Sequence, residues 1–216
     1  MIKEELIKSN PARLVTLPQI VKVREHRLLD DVDIEVIFKS AGIWQLYYAY
    51  LLHTGLRAGD VAMLTYENIN RKKKTIINYI RKSRRMHEIP LSDTLIQLTP
   101  DHRAKAPLFP SLYAVNENSD GKIVTNEKRL HDRLSKPRKY MQAILQAAER
   151  LKADLHSFRV TYNNQLRDLG LSDNDRQILM THSSSRTTQI YTHPNMDLMR
   201  EYINKLPDPT KNVSKT

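Results

Sequence analysis

The spacing of apolar residues changes twice along the chain, and this change restricts the possible folds more than any other feature. Between residues 31 and 55, apolar side chains recur three and four positions apart, as on one face of a helix: Ile43, Leu46, Tyr47, Tyr50 and Leu51. Three later stretches, at 62–69, 75–80 and 86–90, instead alternate and are rich in β-branched residues. Helical spacing then returns. We therefore predict an α+β fold that is mainly α-helical and contains a small antiparallel β-sheet.

The first helical segments can be delimited by their flanking residues. Gly55 provides a stop for the apolar series, because glycine adopts the left-handed conformation that commonly ends a helix. A second helix is expected to begin near Arg57, with Val61 and Leu64 on its inner face. Residues 92–112 are predicted to form a short helix followed by a proline-bounded loop.

The second half of the chain is predicted to consist of helices joined by short loops. Residues 116–122 have the composition of a surface loop. A helix over 127–152 should be interrupted at Pro137, because proline lacks a backbone N–H. A further helix ends at Gly170, and Ser172 begins the next one as its cap.

The chain carries a strong excess of positive charge, with 35 lysines and arginines against 24 acids and a formal net charge of +11. A folded protein with this charge is expected to bind a polyanion, and nucleic acid is favoured. The sequence has no apolar stretch long enough to cross a bilayer and no signal-peptide pattern at its amino end. We therefore expect no membrane partner and a cytoplasmic location at the nucleoid.

Composition argues against several classes of active site. The absence of cysteine removes disulfides, zinc ribbons and cysteine nucleophiles. The five glycines are too scattered to form a phosphate-binding loop, which argues against nucleotide hydrolysis. The acidic residues within 30–35 are better explained as helix caps than as metal ligands. We therefore predict that the protein uses no metal and no cofactor.

A cluster of eight lysines and arginines, without an acid, lies between residues 71 and 85. Charges that protect an edge strand from aggregation need number only one or two. We therefore predict that this strand pair contacts DNA phosphates, which would provide affinity and position but no sequence discrimination. One of the eight, Lys82, is considered separately below. The other seven are the predicted DNA-binding residues: Arg71, Lys72, Lys73, Lys74, Arg81, Arg84 and Arg85.

A second set of residues has the chemistry to cleave a phosphodiester without a metal. The reaction needs a nucleophile, cations that offset charge on the nonbridging oxygens, and a proton donor for the leaving alkoxide. Arginine suits the second task because its planar fork can hold two phosphate oxygens at once. The candidates lie in the motifs HTGLRAGD, LHSFRV, MTHSSS and IYTH: Arg57, His156, Arg159, His182 and Tyr191.

This series of Arg, His-x-x-Arg, His and Tyr resembles the tyrosine recombinase (phage integrase) family over about residues 28–206. Lys82 matches the lysine that members place in the turn between the second and third strands. Lys72 to Lys74 and Arg84 crowd the same hairpin, so a shift in register would move this role. The resemblance implies the tyrosine recombinase catalytic-domain fold and these catalytic residues: Arg57, Lys82, His156, Arg159, His182 and Tyr191.

By this resemblance, Tyr191 attacks the scissile phosphate, forms a 3′-phosphotyrosine and releases a 5′-hydroxyl. A partner strand's 5′-hydroxyl then reverses the step, which implies a site-specific recombinase or integrase of a mobile genetic element that needs no metal or ATP. The arginines and His182 would stabilise the pentacoordinate phosphate, His156 would assist proton transfer, and Lys82 would protonate the leaving oxygen. The implied partner is double-stranded DNA, with a monomer in isolation and four protomers in the synaptic complex.

The sequence departs from the family pattern at two positions near the candidate residues. Met180 and Thr181 precede His182, where members usually have Leu-Gly. Asp60 stands where glutamate is commoner, and its expected role is to brace local structure. Neither difference removes a catalytic group.

The domain organisation implied by the resemblance is incomplete at the amino end. Members normally carry a core-binding domain before the catalytic domain, and none is recognisable here. We expect residues 1–28 to be an interdomain linker, 29–206 the catalytic domain and 207–216 a flexible tail. The chain would then be a catalytic-domain fragment or an unusually short member.

Two other functions stay open on the sequence alone. A type IB topoisomerase shares the tyrosine, arginine and histidine chemistry but relaxes supercoils. A helix-turn-helix DNA-binding module without activity would also account for the charge, because residues 166–191 contain a helix, a glycine-containing turn and a helix.

We expect the last helix, over 195–206, to dock on a neighbouring molecule through one apolar stripe: Leu198, Met199, Tyr202 and Leu206.

Overall fold

The computed structural model describes residues 26–80, 85–101, 105–180 and 195–211. Within these ranges the helices are α1 Asp31–Lys39, α2 Gln45–Thr54, α3 Ala58–Ala62, α4 Asp93–Leu98, α5 Glu127–Ala147, α6 Leu155–Asp168, α7 Asp173–Leu179 and α8 Met196–Asn204. The strands are β1 Ile69–Asn70, β2 Thr75–Ile80, β3 Arg85–Pro90, β4 Val115–Glu117 and β5 Ile123–Thr125. Both sheets are antiparallel, with orders β1-β2-β3 and β4-β5. The predicted α+β class, mainly helical with a small antiparallel sheet, is confirmed.

Helix α2 lies at the centre of the domain. Every residue from Tyr47 to Thr54 is buried, as expected of a helix that has neighbours on all sides. It packs against α6, α3 and α4, and the rings of Tyr48 and Phe158 stack with centroids 5.4 Å apart. The helices that carry the candidate residues are therefore positioned by contacts with α2.

The end of α2 at Gly55 agrees with the prediction. Gly55 adopts the left-handed conformation, with φ of 59°. A Cβ atom at this position would lie 2.3 Å from Cδ1 of Tyr162 and 2.9 Å from Sδ of Met180. Glycine is therefore required both by the backbone conformation and by the close approach of α6.

The start of α2 differs from the prediction. The apolar series was expected to include Ile43 on the buried face, but Ile43 is 86% exposed. The chain turns at Gly42, whose φ is 52°, and passes through one 3-10 turn before α2 begins at Gln45. This turn rotates Ile43 away from the core.

The three-stranded sheet was only partly predicted. Strands β2 and β3 pair along their whole length, with Ile76 opposite Ile89 and both side chains buried. The stretch 62–69 was expected to be a strand, but it contains the end of α3 and a 3-10 turn. Thr65 and Asn68 close this turn, because the Asn68 side chain accepts from the Thr65 N–H at 2.8 Å.

The predicted surface loop over 116–122 contains the turn of a β-hairpin, and only its first two residues belong to a strand, β4. Strands β4 and β5 pair on either side of a turn. The Asn118 side-chain oxygen accepts from the backbone N–H groups of Asp120 and Lys122 at 3.1 and 2.8 Å, which closes the turn. The strands are short and mostly exposed, so their residues lack the alternation of polar and apolar side chains that marks a half-buried strand.

Helix α5 passes through Pro137 without interruption and ends at Ala147, before the predicted end at residue 152. The proline ring is buried, and its carbonyl oxygen accepts from the hydroxyl of Tyr48 at 2.7 Å. Packing against α2 thus offsets the loss of one helical hydrogen bond. None of the helices in the described ranges is long and apolar enough to cross a bilayer.

Helix α8 packs on its own domain, against β3. The side chains of Met199, Ile203 and Leu206 are buried, whereas Leu198 is 39% exposed. Docking on a neighbouring molecule is therefore not what this chain shows, and Ile203 replaces Leu198 in the apolar stripe. Hydrogen bonds reinforce the contact, since the Asp93 N–H donates to the Asn204 side chain at 2.9 Å.

The segment after α8 was expected to be a flexible tail from residue 207. Pro209 is buried, and the Pro207 carbonyl oxygen lies 3.1 Å from Nε2 of the buried His53. Residues 207–211 therefore lie against the domain. The remaining residues, 212–216, lie outside the described ranges.

Candidate functional site

Arg57 lies at the N-cap of α3, directly after the turn that ends α2. Its backbone is extended, so the side chain projects from the first turn of the helix. The side chain is 29% exposed, and its Nη1 lies 4.0 Å from Oδ2 of Asp60, which is almost completely buried. This contact is consistent with the bracing role that was predicted for Asp60.

Arg159 lies inside the protein, with only 3% of its surface exposed. Its guanidinium donates to the carbonyl oxygens of Gly55 and Met180, at the ends of α2 and α7. Burial and then the charge of Arg57 lower the pKa of Arg159 to about 10. Two cations are therefore held close together, and an anion between them would relieve their repulsion.

His156 is the second residue of α6, and its position is set by the cap of that helix. The Asp154 side chain accepts from the backbone N–H groups of His156 and Ser157 at 2.9 and 3.2 Å. Desolvation, followed by the charges of His26 and Arg159, lowers the pKa of His156 to about 4. The imidazole is therefore neutral at pH 7 and able to accept a proton.

A cleft of about 330 Å³ lies where α6 meets α7. His156 and Arg159 line it from α6, and Arg176 and Met180 line it from α7 and its end. Arg176 also ties the two helices together, because its Nη1 donates to the Asn163 side chain at 2.9 Å. Met180 precedes His182 by two residues in the sequence.

The structure thus brings three of the predicted catalytic residues into one neighbourhood: Arg57, His156 and Arg159. The other three, Lys82, His182 and Tyr191, lie outside the described residues. Strand β2 ends at Ile80 and β3 begins at Arg85, so Lys82 belongs to the connection between these two strands. The catalytic roles of all six stay predictions.

The predicted DNA-binding cations divide into two groups. Arg71 donates to the carbonyl oxygens of Ile96 and Pro100 at 3.1 and 2.9 Å, and also to that of Thr99, so it holds the end of α4. Lys74 pairs with Asp93 at 2.7 Å. These two side chains have structural partners.

The remaining described members of that set are Lys72 and Lys73, which are exposed in the turn between β1 and β2. Arg81 and Arg84 lie outside the described residues. The backbone of Arg85 begins β3.

A second basic surface was not predicted from the sequence. A groove of about 540 Å³ beside α6 is lined by four cationic side chains: Arg27, Arg138, Lys139 and Lys152. His26 and Asp154 line the same groove, which connects it to His156. The run Lys-Pro-Arg-Lys at 136–139 was the available signal, but its proline favoured an interpretation as a helix interruption and left the charges unassigned.

Comparison with known proteins agrees with this architecture. The sequence model of the phage integrase family matches residues 25–197. The tyrosine recombinase XerC of Chlamydia muridarum (strain MoPn / Nigg) is 24% identical over 213 residues, which cover 93% of this chain and 64% of that protein. The chain therefore spans somewhat less than two thirds of the length of this relative.

Solved structures share the fold at low sequence identity. The integrase from mycobacterium phage Brujita has a TM-score of 0.61 and 17% identity, and the match covers 95% of this chain and 66% of that one. The Tn1549 transposon integrase, solved in complex with a circular intermediate DNA, has a TM-score of 0.55 and 18% identity, with 95% and 74% covered. The fold is that of tyrosine recombinase catalytic domains, as the sequence predicted.

Proposed function

Because this chain belongs to the phage integrase family, we propose that it is the catalytic domain of a site-specific DNA recombinase. It cleaves and rejoins DNA strands through a 3′-phosphotyrosine intermediate. The observation that carries this proposal is the placement of Arg57, Arg159 and His156 in one electrostatic neighbourhood beside the cleft. Two mutually repelling cations with a neutral imidazole nearby form a site suited to a phosphate.

Strand cleavage uses Tyr191 as the nucleophile. Its phenolic oxygen forms a bond to phosphorus, and the bond from phosphorus to the 5′ oxygen breaks. Lys82 gives a proton to the leaving 5′ oxygen, while the tyrosine proton is accepted with the help of His156. The reverse reaction, with the 5′-hydroxyl of another strand, restores Tyr191 and creates the new DNA connection.

The cations lower the barrier by stabilising charge that builds up on the nonbridging oxygens. Arg57 can hold two oxygens through its planar guanidinium, Arg159 contributes its charge and remaining N–H donors, and His182 adds a further donor. Donors fixed before the reaction contribute the most, and removal of one typically lowers the rate by about 100-fold to 1,000-fold. Because the phosphotyrosine conserves the energy of the broken bond, the reaction needs neither ATP nor a metal.

Double-stranded DNA is the partner that fits the surface next to this site. The groove lined by Arg138, Lys139 and Lys152 continues from His26 and His156, and it can carry the phosphate backbone away from the scissile position. The formal net charge of +11 adds a long-range attraction. A DNA partner of this kind supports the proposed location at the nucleoid in the cytoplasm.

The isolated chain is proposed to be a monomer, and four protomers assemble in the synaptic complex. Support for the monomer comes from α8, whose apolar side chains Met199 and Ile203 are buried within the same chain. A helix that covers its own domain with this stripe cannot offer the same stripe to a second copy. Synapsis then depends on DNA to bring the protomers together.

The proposed function can be tested with a pool of nicked suicide duplexes that carry a randomised central segment. Incubation at low salt, denaturation with detergent and electrophoresis separate covalent adducts from free DNA. Wild-type protein should retain one strand covalently, whereas Tyr191→Phe should retain none. Sequencing the captured strands then identifies the target.

This adduct assay, together with a plasmid relaxation assay, discriminates among the alternatives. Adduct formation by neither wild type nor Tyr191→Phe, with DNA binding intact in both, would overturn the enzymatic proposal and leave a DNA-binding module. Relaxation of supercoiled plasmid by the isolated monomer would indicate a topoisomerase.

A further inference from the structure

His26 lies before α1, yet its side chain contacts the candidate site. Its ring lies against that of His156, with centroids 4.2 Å apart and planes tilted by 42°. Its Nδ1 is 2.9 Å from Oδ2 of Asp154, at the start of α6. A segment that precedes the catalytic domain in sequence therefore touches one of the three described catalytic candidates directly.

Asp154 links the two histidines through both carboxylate oxygens. Oδ1 accepts from the backbone N–H of His156 and so fixes the first turn of α6. Oδ2 faces Nδ1 of His26, and because a carboxylate at neutral pH only accepts, Nδ1 of His26 is the donor. One side chain thus sets the backbone position of His156 and the ring that packs against its imidazole.

The segment that carries His26 is held in place by further contacts. Arg27 donates to Asp33 at 2.6 Å and to the Leu151 carbonyl oxygen at 2.9 Å. The backbone N–H of Leu29 donates to the Thr161 hydroxyl at 2.9 Å, on α6. The position of His26 is therefore supported by the contacts of Arg27 and Leu29, which follow it in the sequence.

Resting on the proposed function, we propose that His26 is a positioning residue for His156. Together with Asp154, it holds the His156 imidazole in the orientation used during strand cleavage. Residues 26–30 thereby link the position of the chain before the catalytic domain to the orientation of His156 at the scissile phosphate. Displacement of this segment would release the His156 ring and slow cleavage.

The charges around His156 agree with this role. It faces His26 from the amino-terminal segment, Asp154 and Arg159 from α6, and Arg57 from α3. Helix α7 contributes Asp173 and Arg176 to the cleft that His156 lines, whereas His26 lines the neighbouring groove. Burial and then the electrostatic effect of His26 lower the pKa of His156, so that removal of His26 should raise it.

The experiment uses four variants of the whole chain. His26→Ala removes both the ring and the hydrogen bond. His26→Asn keeps a donor for Asp154 without the ring, and His26→Phe keeps the ring without the donor. His131→Ala is the matched control, because it removes an exposed histidine from α5.

The first measurement is an NMR titration of the histidine rings in the DNA-free protein, with the His156 signal assigned from the spectrum of His156→Gln. In His26→Ala the pKa of His156 should rise by about one unit, since both the covering ring and the electrostatic effect of His26 are removed. The His26→Phe variant should show a smaller rise, because the ring still covers His156. The His131→Ala control should leave the titration unchanged.

The second measurement is the single-turnover rate of covalent adduct formation between pH 5 and pH 8. His26→Ala should react about ten-fold more slowly at pH 7, the size of effect expected from a displaced reacting group. Its rate should also fall at a higher pH than that of the wild type, because His156 becomes protonated earlier. A purely structural role would lower the rate equally at every pH.

Two outcomes overturn the inference while leaving the proposed function intact. One is a His156 titration in His26→Ala that matches that of His131→Ala. The other is an adduct rate in His26→Ala that matches the wild type across the pH range. Failure of the wild type to form any Tyr191-dependent adduct would instead overturn the proposed function, and with it the role of His26 in cleavage.

Discussion

The buried guanidinium of Arg159 donates a hydrogen bond to the carbonyl oxygen of Gly55, two residues before Arg57. The same guanidinium donates to Met180, two residues before His182. One arginine therefore holds the backbone on which two other candidate residues depend. Its contribution to the site is both its charge and the position it gives to its neighbours.

Arg159→Lys should impair both functions. A lysine ammonium cannot reach two carbonyl oxygens at the ends of different helices, so one of them would be left buried without a partner. We expect the free energy of unfolding to fall by about 1–3 kcal/mol and the rate of adduct formation to fall by about 100-fold or more. Urea unfolding and single-turnover cleavage measure the two effects.

The control for this variant is Arg167→Lys, because Arg167 is an exposed arginine on the same helix, paired with the adjacent Asp168. It should change neither quantity. A wild-type cleavage rate in Arg159→Lys would contradict the assigned role.

Gly55→Ala should destabilise the fold through two separable effects. Alanine at position 55 would have to adopt the left-handed backbone conformation, and its Cβ atom would also collide with the ring of Tyr162. Gly170→Ala isolates the first effect, since Gly170 has φ of 90° and an added methyl group there would meet no neighbour within 4 Å. Backbone strain alone should cost about 1–2 kcal/mol, and overpacking at Gly55 should add about 1–3 kcal/mol. Equal losses in the two variants, measured by urea unfolding, would show that the collision is relieved.

The domain should lose stability in mild acid because the buried His53 resists protonation. It is buried between the Ser92 hydroxyl and the Pro207 carbonyl oxygen, and burial lowers its pKa to about 4. Because the carbonyl can only accept, Nε2 carries the proton and Nδ1 accepts from Ser92 in the neutral ring. The unfolded chain binds a proton near pH 6.5 while the folded chain does not, so stability is full above that pH and falls as the pH drops towards 4.

The loss attributable to His53 between pH 7 and pH 5 should be about 2 kcal/mol. Urea unfolding of wild type and His53→Gln at both pH values measures it. The difference between the two pH values should be smaller in His53→Gln by this amount. An identical pH dependence in the two proteins would show that His53 does not remain neutral in the folded state.

Ile203→Ala should loosen α8 without unfolding the domain. The side chain is fully buried against the β3 face, and truncation of such a residue costs about 2–4 kcal/mol. Amide hydrogen exchange should become faster in α8 and stay unchanged in α2. Leu198→Ala is the control, since Leu198 is on the same helix but 39% exposed. Slow exchange of α8 in Ile203→Ala would indicate that hydrogen bonds such as that of Asn204 suffice to hold it.

Lys139→Ala and Lys152→Ala should each weaken DNA binding and reduce its salt dependence. The loss of one phosphate contact lowers the slope of log affinity against log salt by about 0.9. Fluorescence anisotropy of a labelled duplex at several potassium chloride concentrations measures the slope. Lys122→Ala, in the turn between β4 and β5, should leave it unchanged, and a normal slope in both groove variants would remove the groove from the DNA surface.

Arg71→Ala tests the division between structural and DNA-binding cations. Its guanidinium holds three carbonyl oxygens at and after the end of α4. The variant should therefore unfold at a lower urea concentration, while its salt dependence of DNA binding stays close to that of the wild type. A reduced salt dependence of DNA binding with an unchanged free energy of unfolding would indicate that Arg71 contacts DNA phosphates.

The parts of the fold that follow from local pattern could be predicted from the sequence. Strands β2 and β3 have one buried face, so the alternation of apolar and polar residues is visible in their sequence. Gly55 directly follows an apolar series with helical spacing and so marks the end of that helix. The motifs around Arg57, His156 and Arg159 were also recognisable from residue type and order. What brings these three together is α2, whose buried position depends on helices from both halves of the chain.

Features that depend on distant partners could not be predicted. Pro137 remains within α5 because it packs against α2, where the Tyr48 hydroxyl donates to its carbonyl oxygen. No local sequence pattern reveals that contact. The side chain of Arg159 is buried because carbonyl oxygens of residues 55 and 180 accept its hydrogen bonds, and no local pattern in α6 indicates these partners. The contact of His26 with His156 joins distant parts of the sequence and has no local signature either.

The three tyrosines of α2 each direct a hydroxyl to a different neighbour. Tyr47 donates to the Ala58 carbonyl oxygen, Tyr48 to that of Pro137, and Tyr50 shares a hydrogen bond with Thr99. Apolar packing alone would allow several rotations of the surrounding helices at similar energy, whereas directional bonds select one. Phenylalanine at these positions would preserve a filled core but permit more than one helix arrangement, so the tyrosines give the domain a single native conformation in which the candidate residues from distant parts of the chain can meet.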